Sequence, residues 1–474
     1  MKTSKNVIEK MTNYRWTICA LLFFATTINY LDRQVLSLLQ PILEKDFHWT
    51  DSDYGTITSI FSLAYAISLL FAGRFIDKLG TKKGYAIAIA VWSFAACLHA
   101  LCGTFTESIL GISDTETMRN TTDATLIASI AGTSILMFVI ARSFLAFGEA
   151  GNFPAAIKAT ADYFPKRDRA FATGIFNSGC NIGAILAPLT VPFIAAAWGW
   201  EMAFIIVGAT GFIWLFFWLL LYKSPEKNNK MNDAERAYIN QDYEEEEPTK
   251  KEEKVPFIKC FKYRQTWAFA LGKFMTDGVW WFFLFWTPAY LGAEYGMETT
   301  DMALPIGILY TITVFGSVFG GKFPTYFINK GMNPYAGRMK AMLIIALFPI
   351  LILLAQPLGH LAILGESGYW IPIILIGIGG SAHQAWSANI FSTVGDMFPK
   401  KAIATITGIG GMAGGLGSFF LQKGSGMLFD YSFVEWGTKS TGYSIVFTFC
   451  ALAYIVGWLI MRFLVPAFKP IDDL

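Results

Sequence analysis

Long apolar stretches recur along this chain, and they constrain its fold more than any other feature. From Tyr14 to the C-terminus each stretch has roughly 20 residues or more, the length with which an α-helix crosses the hydrocarbon core of a bilayer. Only 15% of the residues are charged, whereas soluble globular proteins carry about a quarter. Backbone polar groups in lipid must be satisfied within the segment, and the alternating strands of a membrane barrel are absent from the sequence. The sequence therefore predicts an all-α membrane protein.

Twelve apolar segments are predicted to span the membrane. Their approximate bounds are 16–40, 54–77, 83–103, 133–162, 171–196, 202–222, 265–292, 303–328, 339–357, 369–395, 403–428 and 441–466. An even number places both termini on one side. The loops of that side are rich in lysine and arginine, as at Lys78, Lys82 and Lys83, whereas the other loops carry mostly acids, such as Asp46 and Asp51. By the positive-inside rule both termini are cytoplasmic, and we expect a monomeric, multi-pass protein of the cytoplasmic (inner) membrane.

An internal repeat divides the chain in two. Asp-Tyr-Phe-Pro-Lys at 162–166 recurs as Asp-Met-Phe-Pro-Lys at 396–400, and each copy is followed at the same distance by Thr-Gly-Ile. Each copy ends the fourth helix of its half and opens the fifth. Parallel six-helix halves with a site between them near the midplane are a known transporter architecture. We predict six-helix bundles at 1–223 and 257–474.

The hydrophilic stretch 224–256 is predicted to be a cytoplasmic linker between these bundles. Asn232 followed by Glu235 has the spacing of a capping box and predicts one short helix. An acidic run follows at 244–247 and is expected to be solvated.

The segment 73–83, Gly-Arg-Phe-Ile-Asp-Lys-Leu-Gly-Thr-Lys-Lys, resembles the loop 2–3 signature of the major facilitator superfamily, G-x-x-x-D-R/K-x-G-x-R/K-R/K. Every specified position matches, and the segment lies in the predicted loop between helices 2 and 3. A degraded copy at 320–331 follows helix 8, as the repeat predicts. The resemblance implies the twelve-helix, two-half fold of that superfamily. It also implies a gating role for Gly73, Asp77 and Gly80, in which this loop holds to the other half in one access state.

Two further segments are similar to the anion:cation symporters of that superfamily. They are Asn-Tyr-Leu-Asp-Arg at 29–33 and the stretch 142–154 that begins with Arg-Ser-Phe-Leu-Ala-Phe-Gly-Glu. That group includes bacterial hexuronate, galactonate and glucarate permeases and animal sialin-type carriers. The similarity covers nearly the whole chain and is greatest to the hexuronate permeases, through 176–179, 200–204 and Ala-His-Gln-Ala at 382–385.

Four charged residues lie inside predicted helices: Asp32 and Arg33 on helix 1, Arg142 and Glu149 on helix 4. A charge facing lipid costs about 2.5–3.5 kcal/mol on insertion scales, so these side chains should face protein or a wet cavity and pair. Arg142 and Glu149 share one helix face, roughly 10 Å apart along the axis. Helices 1 and 4 run in opposite directions, which brings all four charges level around one cavity. The alternative is a structural ion-pair network that fixes helix 1 against helix 4.

The resemblance implies that Asp32 and Glu149 are proton-coupling sites and that Arg33 and Arg142 bind the anion. Physical chemistry is consistent with these roles, because burial favours the neutral carboxylic acid whereas a neighbouring guanidinium favours the carboxylate. An arginine fork also matches a carboxylate in bidentate geometry. A sugar acid that takes the arginine from its resident acid favours protonation of that acid, so substrate and proton help each other bind. We therefore predict proton-coupled uptake of a sugar acid, a hexuronate such as galacturonate or glucuronate, by alternating access.

Other polar residues in apolar helices complete the predicted substrate site. The candidates are Tyr65 on helix 2, Lys273 on helix 7, and His383, Gln384, Ser387 and Asn389 on helix 10. His383 is the repeat partner of Glu149. The alternatives are a tyrosine that only satisfies its hydroxyl, interhelical polar contacts on helix 10, and neutralisation of Lys273 by Asp277 on the same helix face.

Other classes of function find little support in the sequence. It contains no nucleophile–base set, metal cluster or cofactor motif, so we predict neither an enzyme nor a bound metal or cofactor. A net charge of +2 gives no reason to expect nucleic acid as a partner. The predicted partners are a sugar-acid anion, a proton and the lipid bilayer. Alternatives are another carboxylate substrate, such as galactonate or glucarate, Na⁺ as the coupling ion, and a non-transporting membrane sensor.

Overall fold

A computed structural model describes residues 10–241 and 257–471, and the regular elements within those ranges are all helices. The α-helices are α1 (Tyr14–Phe47), α2 (Asp51–Leu79), α3 (Thr81–Leu98), α4 (Cys102–Leu110), α5 (Thr115–Asn120), α6 (Ala124–Glu149), α7 (Asn152–Tyr163), α8 (Lys166–Trp198), α9 (Trp200–Leu221), α10 (Asp233–Asn240), α11 (Phe257–Cys260), α12 (Arg264–Tyr295), α13 (Ala303–Gly320), α14 (Phe323–Ile328), α15 (Pro334–Ile345), α16 (Ala355–Gly359), α17 (Trp370–Met397), α18 (Lys400–Trp436) and α19 (Ser440–Leu464). Short 3₁₀ segments lie at His99–Leu101, Pro225–Lys227, Phe348–Leu354 and Ala362–Tyr369.

Nine helical stretches among the described residues are long and apolar enough to cross a bilayer. They are Asp51–Leu79, Thr81–Leu110, Ala124–Tyr163, Arg167–Trp198, Trp200–Leu221, Ala303–Ile328, Pro334–Gly359, Ala362–Met397 and Ser440–Leu464. Three further helices, α1, α12 and α18, have 34, 32 and 37 residues and match the remaining predicted spans. The twelve-helix, all-α membrane fold predicted from the sequence is therefore confirmed.

The start of the fourth span differs from its predicted position more than any other bound does. It consists of α6 and α7, and it begins at Ala124 rather than near residue 133. Asp123 explains the early start, because its carboxylate accepts hydrogen bonds from the backbone N–H groups of Thr125 and Leu126 at 2.8 and 3.2 Å. The preceding loop, predicted at 104–132, is correspondingly shorter and contains most of α4 and all of α5.

We call residues 10–241 the first half of the bundle and residues 257–471 the second half. The division into two six-helix bundles stays a prediction. Because the number of spans is even, the described ends of the chain lie on one face, the terminal face. The turns before α2 and α19 lie on the other, the opposite face.

The halves meet through α2 against α18, α8 against α13 and α1 against α12. Hydrogen bonds between them cluster from mid-bundle to the opposite face. The carboxylate of Asp430 on α18 accepts hydrogen bonds from the backbone N–H groups of Asp51 and Ser52 at the start of α2, at 3.0 and 2.7 Å. Lys439 pairs with Asp51 at 2.6 Å, and Ser62 meets Ser418 at 3.0 Å nearer mid-bundle. The halves are therefore closed against each other on the opposite face.

The predicted linker helix is α10, and it packs on the start of α1. Asn232 caps it by accepting a hydrogen bond from the backbone N–H of Glu235 at 3.1 Å. The Glu235 side chain does not return to the cap as a capping box requires. It accepts instead from the backbone N–H groups of Tyr14 and Arg15 at 2.9 and 3.0 Å and pairs with the Arg15 guanidinium. The acidic run at 244–247 lies outside the described residues.

Candidate functional site

Arg33 on α1 and Glu149 at the end of α6 form a buried ion pair. Nε and Nη2 of Arg33 donate hydrogen bonds of 2.9 and 2.6 Å to a single carboxylate oxygen, Oε2 of Glu149. The other oxygen, Oε1, is buried and has no hydrogen-bond partner among the described residues. The pair therefore joins α1 to α6 through one oxygen and leaves the second available for another donor.

Close packing of α6 against α3 fixes the direction in which Glu149 points. A Cβ at Gly148 would lie 2.5 Å from the backbone nitrogen of Trp92, so only glycine allows the two helices to approach this closely. Gly148 directly precedes Glu149, the last residue of α6. The rotation that buries Gly148 on α3 thereby turns the next side chain toward α1.

Arg142 and Asp32 complete the predicted set of four charges. Nη2 of Arg142 donates a 2.9 Å hydrogen bond to the backbone carbonyl of Arg33. Its Nε and Nη1 atoms are buried and have no partner among the described residues, and the same holds for both carboxylate oxygens of Asp32. Asp32 is 3% exposed and Arg142 is fully buried. The structure therefore brings Arg33, Arg142 and Glu149 into one buried cluster, next to the buried carboxylate of Asp32.

Aromatic rings surround both guanidinium groups. The members of this aromatic cage are Tyr30 on α1, Phe61 and Tyr65 on α2, and Trp281 and Phe285 on α12. Cζ of Arg33 lies 4.7 Å from the ring centre of Tyr65 and 5.1 Å from that of Trp281. Cζ of Arg142 lies 4.7 Å from the ring centre of Phe61. Cation–π contacts are worth about 2 kcal/mol or more when desolvated, so the cage stabilises the two buried guanidinium charges of the first half. Because Trp281 belongs to the second half, this stabilisation depends on how the halves meet.

Two of the predicted second-half residues already have partners within that half. Lys273 pairs with Asp277, one turn later on α12, at 2.7 Å. Nδ1 of His383 on α17 lies 2.9 Å from the hydroxyl of Tyr454, and its ring stacks on Trp280 at a centroid distance of 5.5 Å and an angle of 7°. The stack and the hydrogen bond together fix the plane of the imidazole.

The remaining predicted residues of α17 have different surroundings. Gln384 and Ser387 are half-buried, whereas Asn389 is fully buried. The amide nitrogen of Asn389 donates to the backbone carbonyls of Gly320 and Ala385 at 2.9 and 2.8 Å. The bond to Gly320 ties α17 to the end of α13, and the bond to Ala385 stays within α17, so both N–H groups of the amide are used.

The predicted gating segment lies on the terminal face. Asp77 pairs with Lys158 of the same half at 2.9 Å, and its side chain is 66% exposed. A Cβ at Gly73 would meet nothing within 4 Å, and Gly80 has a φ of +79°, a backbone conformation that favours glycine. The structure thus places all three residues away from the contacts between the halves.

The structure adds residues that sequence reasoning did not select. Phe61 contacts both arginines and Tyr30 contacts Arg33, yet neither was singled out. The sequence did contain a signal, because Phe61 precedes Tyr65 by four positions and Tyr30 precedes Arg33 by three, so each shares a helix face with a selected residue.

Among the described residues, no group of three or more His, Cys, Asp or Glu side chains is arranged to hold a metal ion.

Comparisons with known proteins agree with this architecture. A sequence model of the Major Facilitator Superfamily matches residues 22–421. The hexuronate transporter of Escherichia coli (strain K12) is 29% identical over 455 residues, covering 96% of this chain and 94% of that one. The galacturonate transporter of Dickeya chrysanthemi is 28% identical over 318 residues, covering 67% of this chain and 84% of that one. The crystal structure of a D-xylose-proton symporter, at 16% identity, superposes with a TM-score of 0.69 over 96% of this chain and 98% of that one.

Proposed function

The chain belongs to the Major Facilitator Superfamily, and from this premise we propose that it carries a sugar acid across the membrane together with protons. Its membership of a family of transporters makes it a multi-pass membrane transporter and not an enzyme. The proposed substrate is a hexuronate such as galacturonate or glucuronate. This choice is supported by relatives named as hexuronate and galacturonate transporters that align with most of the chain.

The Arg33–Glu149 pair is the observation that carries the proposal. Arg33 gives two N–H donors to one oxygen of Glu149, a geometry that a substrate carboxylate reproduces equally well. When the substrate takes these donors, Glu149 loses its counter-charge while it stays buried. A buried, unpaired carboxylate is stabilised by a proton, so substrate binding at Arg33 favours proton binding at Glu149. Reciprocity of coupling then requires that the proton favours the substrate to the same degree.

Arg142 and Asp32 are proposed to add a second anion-binding group and a second proton site to the Arg33–Glu149 pair. Two guanidinium nitrogens of Arg142, Nε and Nη1, have no partner among the described residues and lie next to the pair, so they add donors for an incoming carboxylate. Asp32 is buried, has no hydrogen-bond partner within 10–241 and 257–471, and is proposed to hold a second proton. Tyr65 and Trp281 of the aromatic cage offer faces against which the sugar ring can pack.

Polar groups of the second half are proposed to form hydrogen bonds with the sugar hydroxyls. Gln384 and Ser387 are half-buried on α17, and His383 is held in a fixed plane beside them. Lys273 would contribute only if the substrate displaced Asp277 from it. The same substrate would thus contact both halves, which allows its binding to bias their relative arrangement.

We place the terminal face in the cytoplasm of a bacterial cell, which makes the transport direction uptake. Support comes from the positive-inside rule, since lysines concentrate in the loops of that face and acids in the loops of the other. The state described here is closed on the opposite face, which would then be the outside. It corresponds to a carrier that has released its substrate inward and has paired Arg33 with its own acid. A monomer suffices for this cycle, because both halves of the site belong to one chain.

Uptake into proteoliposomes under an imposed pH gradient tests the proposal. Labelled galacturonate and glucuronate should accumulate when the outside is acidic. Glu149→Gln should abolish gradient-driven accumulation but retain exchange of labelled for unlabelled uronate, because a neutral amide leaves Arg33 free for substrate. Glu201→Gln, at a half-buried glutamate on α9 away from the site, is the matched control and should accumulate like the wild type.

Three results would contradict different parts of this proposal. Unchanged accumulation in Glu149→Gln would overturn the coupling role of Glu149. If neither uronate were transported while galactonate or glucarate was, the fold and charges would stand and the substrate would be wrong. If no sugar acid moved in either direction, transport of this class would be excluded in favour of a sensor.

A further inference from the structure

An apolar groove runs along the outer flank of the second half, between α13–α14 on one side and α17 on the other. Its volume is about 690 Å³. Its lining includes Ile312, Phe315, Phe319, Tyr326, Ser381 and Ala382. Phe315 and Phe319 are 59% and 63% exposed, so the groove opens away from the bundle toward lipid.

The floor of the groove is held by two contacts of backbone against backbone. A Cβ at Gly316 would lie 1.8 Å from the carbonyl oxygen of Ser381, and one at Gly320 would lie 2.3 Å from Cα of Ala385. Larger residues would therefore force α13 and α17 apart. Because these contacts fix the two helices, the groove is part of the folded structure and does not require a ligand to form it.

The length of the groove matches one leaflet of a bilayer. It extends from Ile312 in the middle of α13 to Tyr326 in α14. Fourteen residues at 1.5 Å each give roughly 21 Å, which is half of the ~40–45 Å of a bilayer with its headgroup regions. A single acyl chain of the terminal-face leaflet therefore fits the groove from the midplane to the headgroup level.

The mouth of the groove on the terminal face is cationic. Lys322 lines it directly, and Nζ of Lys330 donates a 2.5 Å hydrogen bond to the hydroxyl of Tyr326, another lining residue. The sequence has no aspartate or glutamate between residues 302 and 365. Within the part of the chain that the structure describes, no carboxylate lies within ion-pair distance of Lys322 or Lys330.

We infer that this groove binds an anionic phospholipid of the terminal-face leaflet. One acyl chain lies along Phe315 and Phe319, and the phosphate lies between Lys322 and Lys330. The charge selects the lipid, because a zwitterionic headgroup gains less from the ammonium groups of Lys322 and Lys330 than an anionic one. The inference depends on the membrane fold and not on the identity of the transported substrate.

Native mass spectrometry of the full chain, with phosphatidylglycerol and phosphatidylcholine of identical acyl chains, tests this inference. Phosphatidylglycerol should bind more tightly. Lys322→Gln and Lys330→Gln should each weaken it about fivefold, the change that an attraction of ~1 kcal/mol per lysine predicts. Lys223→Gln combined with Lys227→Gln removes two exposed lysines of the same face in the first half and should leave the preference unchanged.

A second variant tests the groove itself. Ser381→Leu fills the groove without changing charge and should weaken the binding of both lipids. Equal binding of the two lipids by the wild type would overturn the selection of an anionic lipid. Unchanged phosphatidylglycerol binding in Ser381→Leu, in protein with the wild-type melting temperature, would place the lipid elsewhere and overturn the site.

Discussion

Asn389 and Gln384 lie on one helix, but their surroundings favour different roles, stability for Asn389 and substrate binding for Gln384. Both N–H groups of the Asn389 amide satisfy backbone carbonyls, whereas Gln384 is half-buried. Asn389→Ala should therefore lower the free energy of unfolding by about 1–3 kcal/mol, the cost of leaving the Gly320 carbonyl without this donor, with KM within about twofold of wild type. Gln384→Ala should raise KM at least about fivefold with an unchanged melting temperature, since it removes the proposed hydrogen bond to a sugar hydroxyl. Thermal melting and uptake kinetics on the two variants check both expectations.

The opposite pattern would reassign the two residues. A large rise in KM for Asn389→Ala without loss of stability would make its amide a substrate ligand, as the sequence suggested. An unchanged KM for Gln384→Ala would remove it from the proposed site.

The burial of the four charged residues was predictable from the sequence, but their pairing was not. The cost of a charge in lipid requires only that Asp32, Arg33, Arg142 and Glu149 face the interior. Which arginine meets Glu149 depends on the rotation of α1 and α6, and a close contact at Gly148 sets that rotation. A single sequence does not reveal such a contact. Adjacent residues can therefore differ, and Arg33 is paired while Asp32 has no partner among the described residues.

Between elements, the contact of α2 with α18 depends on residues without side chains. A Cβ at Gly426 would lie 2.3 Å from the carbonyl oxygen of Asp51, whereas one at Gly424 would meet nothing within 4 Å. Gly426→Ala should therefore destabilise the closed contact by about 1–3 kcal/mol and shift the protein toward states open on the opposite face. A cysteine placed at the buried Ser62, in a chain without its native cysteines, should then react roughly tenfold faster with an impermeant maleimide.

Gly424→Ala is the matched control for this prediction, since it adds the same methyl group to the same helix. Its labelling rate should equal that of the parent protein. Equal rates in Gly424→Ala and Gly426→Ala would mean that the contact does not hold the opposite face closed.

The contact of α10 with α1 should depend on pH through Glu235. Burial raises the pKa of this carboxyl, but hydrogen bonds from the Thr12 hydroxyl, the Tyr14 and Arg15 backbone N–H groups and the Arg15 guanidinium together hold it below 4.5. A pKa lowered by folding gives stability that is present above about 4.5 and is lost as the pH falls through the lower folded value. The exchange rate of the backbone amide hydrogens of 233–240, divided by the intrinsic rate at each pH, should thus rise below pH 4.5.

Variants separate this effect from general unfolding in acid. Glu235→Gln should show fast exchange of α10 at every pH, whereas Glu226→Gln, at an exposed glutamate of the preceding segment, should behave like the wild type. A pH dependence that persists in Glu235→Gln would exclude Glu235 as its source. The sequence predicted the Asn232 cap but not this contact, because the capping pattern is local and Glu235 instead meets residues 220 positions away.

At the scale of the whole molecule, the sequence predicts twelve spans and their order but not which face is closed. The two access states of a carrier share one sequence and differ by only a few kcal/mol, so composition and periodicity are the same for both. Which face is closed is determined by contacts between residues far apart in the sequence, such as Asp430 with the start of α2 and Lys439 with Asp51. These residues are charged and carry no sequence pattern that distinguishes them from solvated charges.

If the halves must separate on the opposite face during transport, a covalent link there should arrest it. Ser62 and Ser418 are both fully buried, one on each half, with their Oγ atoms 3.0 Å apart. Cysteines at both positions, in a chain without its native cysteines, should form a disulfide on mild oxidation. Uptake should then fall to the level of empty liposomes and recover on reduction, whereas either single cysteine should be unaffected by oxidation. A doubly substituted protein that is fully cross-linked and still transports at the reduced rate would show that α2 and α18 do not part in the cycle, and the closed contact would then be a permanent part of the scaffold.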